Sequence, residues 1–322
     1  MTAAAPRRRR RDLAAVVLMS LVLPACAVGR ADPVRVPSTV GDGGPVVIAS
    51  FDFAESETLA QIYAQVLGQK GYPVKVVPSV GSKEIVEPAL VQGIIDFVPD
   101  YQGSTLEFFT LGSGEAPGSD AATNRELRDV LEPQGVSVLA PSPGENKNEV
   151  VVTRATSERF DLREISDLQA VADELVIGGP AECPARPLCL VGLQETYGLE
   201  FAEFRPLDTG GPVTVDALDT GVIDVAILFT TNPAIPANDF IMLRDDLDLQ
   251  PHENVVPMVR TEAVEHFGDD LVTLVDSVTQ LLTTDELREI NEIVEVLGPR
   301  DAATAWLRSQ GLVATATPTG GE

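Results

Sequence analysis

One ten-residue pattern occurs twice in this chain and restricts its architecture more than any other feature. Ala89-Leu90-Val91-Gln92-Gly93-Ile94-Ile95-Asp96-Phe97-Val98 lines up with Ala217-Leu218-Asp219-Thr220-Gly221-Val222-Ile223-Asp224-Val225-Ala226. The shared frame, Ala-Leu-x-x-Gly-(Ile/Val)-Ile-Asp, reads as the last turn of a helix, a glycine free to take the left-handed cap, and then a buried strand. Two copies at matched spacing predict two related lobes. After each copy the chain leaves the carboxyl end of a strand, at Asp100-Tyr101-Gln102-Gly103-Ser104 and at Phe229-Thr230-Thr231-Asn232. Open α/β sheets bind ligands at that end, so two such loop sets facing each other predict a cleft.

The surrounding pattern agrees. Val46 to Ser50 suits a buried parallel strand. Glu55 to Lys70 places Leu59, Ile62, Tyr63, Val66 and Leu67 on one helical face, and Gly71 ends it. A strand at Val74–Val77, a helix at Ser82–Val91 and a strand at Ile94–Val98 complete a β-α-β-α-β order, which implies a parallel sheet covered by helices. Later the order returns: strand Val150–Thr153, helix Ile165–Asp173, strand Leu175–Gly178, helix Val213–Asp219, strand Ile223–Leu228. Thr261 to Gly311 reads as successive helices. A length of 322 residues also fits two lobes.

The N-terminus reads as a targeting segment. Arg7 to Arg11 precede an apolar stretch from Leu13 to Leu23, too short to span a bilayer, which takes about 20 residues. The arginine run serves either a general or a twin-arginine export route. Leu23-Pro24-Ala25-Cys26 resembles a bacterial lipobox, which implies a signal peptide over 1–25, lipidation of Cys26 and a membrane anchor. Residues 26–44, rich in Gly, Pro, Asp and Val, read as a flexible tether. Cys183 and Cys189 remain. No His or further Cys lies near enough to complete a zinc set, and outside the cell such a pair closes a disulfide. The formal net charge of −26 argues against nucleic acid, which needs Lys and Arg clusters. Neither histidine, His252 or His266, joins a nucleophile pattern, and no Gly-x-Ser-x-Gly, phosphate loop or metal cluster occurs. An enzyme is therefore not expected, nor a cofactor.

Several stretches resemble the substrate-binding proteins of osmoprotectant ABC importers, the glycine betaine, choline and carnitine type. They are Phe53-Ala54-Glu55-Ser56-Glu57-Thr58-Leu59, Gly81-Ser82-Lys83-Glu84, Pro88-Ala89-Leu90-x-x-Gly93-x-Ile95-Asp96, Tyr101-Gln102-Gly103-Ser104, Asp245-Asp246 and Asn254-Val255-Val256-Pro257. Gly179-Pro180-Ala181-Glu182-Cys183 and Leu207-Asp208-Thr209-Gly210-Gly211-Pro212 look like the actinobacterial branch. The resemblance implies an α/β, periplasmic-binding-protein-like fold of type II, two Rossmann-like lobes with a hinge. Lobe one would span 45–145 plus 258–312, lobe two 146–257, and 313–322 would be a tail. The hinges would lie near Pro141–Lys147 and Asn254–Pro257. A monomer working with permease and ATPase subunits is the implied context.

In this family a quaternary ammonium typically sits among aromatic faces, held by cation–π attraction. Tyr101 matches the family's Tyr-x-Gly-(Ser/Thr) position. Betaine binders often carry another tyrosine where this chain has Asn146-Lys147-Asn148-Glu149. That departure leaves other readings open: a polyol or aromatic ligand on the same fold, or a sensory lipoprotein. Phe51, Phe53 and Phe229 are candidate ring faces as well as candidate core. The expected ligand-binding residues are Phe51, Asp52, Phe53, Ser82, Tyr101, Ser104, Asn148, Thr230 and Thr231, with Ser82 either lending its helix N-terminus to an anion or simply capping it.

Overall fold

A computed structural model of the chain describes residues 43–111 and 118–313, with Thr2 and Val40 besides. The expected export segment, Cys26, nearly all of the tether and nearly all of the tail fall outside the described residues.

The first half runs β1 (Val46–Ala49), α1 (Ala54–Gln69), β2 (Val74–Val77), α2 (Lys83–Gln92), β3 (Phe97–Tyr101), α3 (Gln102–Thr110), α4 (Asp120–Leu131) and β4 (Val136–Val138). The second runs β5 (Asn148–Val152), α5 (Arg154–Phe160), β6 (Val176–Pro180), α6 (Leu190–Tyr197), β7 (Glu203–Leu207), α7 (Pro212–Asp219), β8 (Val225–Phe229), α8 (Ala234–Ala237) and β9 (Ile241–Met242). The chain then returns with β10 (Val255–Arg260), α9 (Thr261–Phe267), α10 (Asp269–Thr279), α11 (Thr284–Leu297) and α12 (Pro299–Ser309).

Two five-stranded sheets result, in the orders β2-β1-β3-β10-β4 and β7-β6-β8-β5-β9. The orders superimpose when each returning strand is matched, β10 with β5. β1, β2 and β3 are parallel, as their β-α-β-α-β order implied, and so are β6, β7 and β8, but each whole sheet is mixed, a correction for the strand expected over Val150–Thr153. β10 pairs antiparallel with β3 and β4, and β5 pairs antiparallel with β8 and β9. These are the strands that enter each sheet just after the chain has crossed from the other, which reverses their sense.

The repeated decapeptide is structural in both places. Gly93 and Gly221 take φ of 78° and 70°, and the next N–H returns to the helix: Ile94 to the Ala89 carbonyl at 2.9 Å, Val222 to the Ala217 carbonyl at 2.8 Å. The two aspartates then act alike. Asp96 Oδ2 accepts the Val47 N–H at 2.9 Å, and Asp224 Oδ2 accepts the Val176 N–H at 2.9 Å. Each locks the start of the neighbouring strand. The strands begin only after this device, at Phe97 and Val225, two to three residues later than the sequence indicated. Ile94 and Val222 sit in the closing turn, 58% and 48% exposed, and are not strand residues.

Helices cover both faces of each sheet, so the central strands are continuous apolar runs. On the first sheet, Leu59, Ile62, Tyr63, Val66 and Leu67 of α1 pack with Trp306 and Leu307 of α12, and a second cluster around Leu90 and Leu127 fills the opposite face. Each such side chain contributes about 1.5–3 kcal/mol. Trp306 is fully buried and donates its indole N–H to Glu286 at 2.6 Å. Two further clusters sandwich the second sheet. The helix expected over Ile165–Asp173 is instead a pair of 3₁₀ turns, Ile165–Ala170 and Ala172–Glu174. Its buried residues Ile165 and Leu168 recur every third position, which suits three residues per turn.

The chain crosses between the sheets twice, through 139–147 and 243–254. The crossings touch at an isolated antiparallel bridge between Glu145 and Asn254. Asn254 ties them further: its Oδ1 accepts from Gln102 Nε2 at 2.7 Å, and its Nδ2 donates to the Ser142 carbonyl at 3.0 Å.

Candidate functional site: a cavity between the two sheets

The loops leaving β1, β3, β6 and β8 converge on one cavity of about 90 Å³. Seven of the nine expected residues line it: Phe51, Asp52, Phe53, Ser82, Tyr101, Ser104 and Asn148. Phe53 is the hub of the aromatic wall. Its ring centre lies 6.2 Å from Phe51, 6.1 Å from Tyr101 and 5.2 Å from Phe229, so rings borne by both sheets meet.

Thr230 and Thr231 do not line the cavity, contrary to expectation. Thr230 Oγ1 accepts the Lys147 N–H at 3.1 Å, which fixes the first crossing. Thr231 is fully buried and donates to Glu55 Oε2 at 2.8 Å.

That glutamate is the residue the sequence reading passed over. Glu55, in the first turn of α1, is buried and accepts four hydrogen bonds. Tyr101 Oη (2.5 Å) and Asn146 Nδ2 (2.7 Å) reach Oε1; Thr231 Oγ1 (2.8 Å) and Asn291 Nδ2 (2.5 Å) reach Oε2. The donors come from the first sheet, the first crossing, the second sheet's loop and α11. Burial pushes its carboxyl above the ordinary range, even though all four donors favour the ion.

A buried ionic cluster forms the floor. Lys83 hydrogen-bonds Asp100, reaches Thr105 Oγ1 at 2.9 Å, lies 3.8 Å from Glu87 and sits 5.0 Å above the Phe51 ring. Burial, and after it the Asp100 charge, push the Glu87 carboxyl well above its ordinary range. For Asp100, burial acts upward but is outweighed by Lys83, and the group is held below its usual range.

Glu253, also buried, accepts the Gly103 N–H at 3.1 Å and the Ser104 N–H at 2.9 Å, at the first turn of α3. Burial raises it to about 7. Gly103 permits this approach: a Cβ there would lie 2.7 Å from the His252 carbonyl oxygen.

At the rim, Cys183 and Cys189 are disulfide-bonded as expected and both line the cavity. The loop they close carries Arg186, which grips Glu84 across the cleft, Nη2 to Oε2 at 2.8 Å and Nε to Oε1 at 3.2 Å. Burial acts upward on Glu84, but Arg186 and Ser82 outweigh it and bring the carboxyl down to about 2. Ser82 precedes α2 without a capping hydrogen bond; its hydroxyl donates to Glu84 at 2.5 Å.

Residues 44–309 match the family model described as the substrate binding domain of an ABC-type glycine betaine transport system. The chain belongs to that family. It is 27% identical over 274 residues to the glycine-betaine-binding protein of Pseudomonas aeruginosa, covering 81% of this chain and 86% of that one. It is 24% identical over 279 residues to the glycine betaine-binding protein YehZ of Escherichia coli, covering 83% and 91%. A crystal structure of a glycine betaine/carnitine/choline ABC transporter superimposes with a TM-score of 0.66 at 21% identity, over 83% of this chain and 99% of that one. The fold is thus the type II periplasmic-binding fold, and the family is one of transporter binding components, not of enzymes. No helix among the described residues is long and apolar enough to cross a membrane.

Proposed function

We propose that this chain is the extracytoplasmic, lipid-anchored solute-binding component of an ABC importer, and that it captures a small osmoprotectant with a methylated cationic head between its two sheets. The supporting observation is the aromatic wall. Phe51, Phe53 and Tyr101 from one sheet and Phe229 from the other surround a single cavity, and each ring face offers a cation about 0.5–2 kcal/mol. Lobes of about 45–145 with 258–312, and of 146–257, would swing on the two crossings. Solute would enter the open form and be enclosed when Phe229 reaches Phe53 and Arg186 reaches Glu84. Lipidation at Cys26 would hold the protein beside its permease and ATPase subunits, where it would act as a monomer.

Calorimetric titration with glycine betaine, choline and carnitine tests the reading. At least one binds, and Phe53→Ala and Phe229→Ala each weaken it roughly 2- to 30-fold, the range of one cation–π contact. No heat with any methylated ammonium compound would overturn the assignment.

A further inference from the structure

Two loops, one from each sheet, meet twice. Residues 53–55 lead into α1, and residues 229–231 leave β8. Inside the cavity they meet as rings, with Phe53 and Phe229 centred 5.2 Å apart. Two residues further along each loop they meet again as a buried hydrogen bond, Thr231 Oγ1 to Glu55 Oε2 at 2.8 Å. We infer that Glu55 is a positioning residue for solute capture: its carboxyl joins the cage ring of Tyr101 to Thr231 across the seam, so that setting the cage and holding the halves shut are one event. This rests on the aromatic-cage reading above and adds the group that acts from behind the cage.

Glu55 stands outside the cavity lining, and its partners reach inside. Its Oε1 takes the Tyr101 hydroxyl and the Asn146 amide, and both residues line the cavity. Its Oε2 takes Thr231 and Asn291. Asn291 Nδ2 also lies 3.0 Å from Thr231 Oγ1 and 3.3 Å from the Thr231 carbonyl oxygen. Thr231 therefore sits in a socket made by a residue of α1 and a residue of α11. The second sheet cannot part from the first at this seam without emptying that socket, which frees the carboxyl that fixes Tyr101. The rim has a rival latch in Arg186 and Glu84, but those side chains are 29% and 48% exposed, and an ion pair so open to water contributes little. Glu55 and Thr231 are 3% and 0% exposed, and hydrogen bonds in a buried network strengthen one another.

A double-mutant cycle on the purified protein tests this, with glycine betaine, choline or carnitine as probe, whichever binds most tightly in the titration above. Tyr101→Phe keeps the ring and removes its hydroxyl; Thr231→Val keeps the shape and removes the other. Each should raise Kd about 2- to 10-fold, the range of one hydrogen bond. The change should lie in the dissociation rate, read from exchange broadening of the probe's trimethylammonium proton signal. The double variant should fall short of the product of the two by about twofold or more, because the groups share one network, and Thr231→Ser should return to within about twofold of wild type. Tyr63→Phe is the control. It removes a buried hydrogen bond to Thr279, also made from α1 but away from the cavity, and should lower Tm with Kd unchanged. Should Thr231→Val not fold, Asn291→Ser takes its place in the cycle. If the cycle variants behave like Tyr63→Phe, or if the double variant equals the product, the inference is overturned and the cage stands. If wild type binds none of the three probes, the cage reading falls and the inference with it.

Discussion

Glu55 offers the sharpest test of what holds the two halves together. Its two oxygens take four hydrogen bonds from separate parts of the chain. Glu55→Ala removes both acceptors and strands four buried donors. An orphaned buried donor costs about 1–3 kcal/mol, so the gross loss is about 4–12 kcal/mol. Returning the carboxylate to water in the unfolded reference offsets several of these. A net loss of about 3 kcal/mol follows, or ~6 °C in Tm at about 2 °C per kcal/mol for a chain of this size. Glu55→Gln keeps one acceptor and drops a charge whose burial is unfavourable; Tyr101 and Thr231 hydroxyls can turn to accept from the new amide. Its loss should be about 1 kcal/mol, ~2 °C. The pH dependence has a definite sign. The folded carboxyl titrates above its ordinary value of 4.5, so its contribution is greatest in acid and diminishes as pH rises through the folded pKa. Wild type therefore gains on Glu55→Gln when melts are moved from pH 8 to pH 5. Melts followed by circular dichroism and by the fluorescence of Trp306, the sole tryptophan, supply the data. If the glutamine variant loses as much as the alanine variant, or the gap closes toward acid, the ion and not its acceptor geometry is the stabiliser and the reasoning fails.

Two further predictions concern the second half. Replacing Cys183 and Cys189 together by serine should cost about 2 kcal/mol, the loop-closure value for so short a loop, read as a lower Tm and unaltered by added reductant in the variant. Glu149 on β5 is raised to about 7 by burial and by the charge of Asp245. Its contribution to stability falls as pH rises from its ordinary value of 4.5 through about 7, so Glu149→Gln should gain on wild type by roughly 3 kcal/mol between pH 4.5 and pH 8, measured by urea denaturation at each pH.

Much of the fold was legible because local chemistry dictates it. The decapeptide announced both caps and both strands through Gly93 and Gly221, although the interval Ile94–Asp96 was read as strand. Apolar residues there are the closing turn, and only the Asp96 side chain, which has to reach Val47, marks where pairing starts. Strand sense was not legible. Val255–Arg260 is an apolar run whose partners lie 154 or more residues back for β3, and nothing in its composition encodes direction. The rings of the cavity were readable because loops after strand ends are where ligands meet α/β sheets. Glu55 was not, since an acid in a first helical turn looks like a solvated partner of the helix dipole. Its burial depends on donors as distant as Asn291, 236 residues away. Thr230 and Thr231 were placed in the right loop, but Thr230 turns to the Lys147 N–H of the crossing and Thr231 to the buried Glu55.

The position of β10 has a consequence for how such a chain comes to be folded. Residues 148–242 hold every strand of the second sheet, so that half can finish as soon as it is available. The first half cannot: until Val255–Arg260 arrives, β3 and β4 have no neighbour between them and their edges stay open. The portion that appears first is therefore the last to mature, and for that interval its bare strand margins are the part of the molecule most exposed to mispairing.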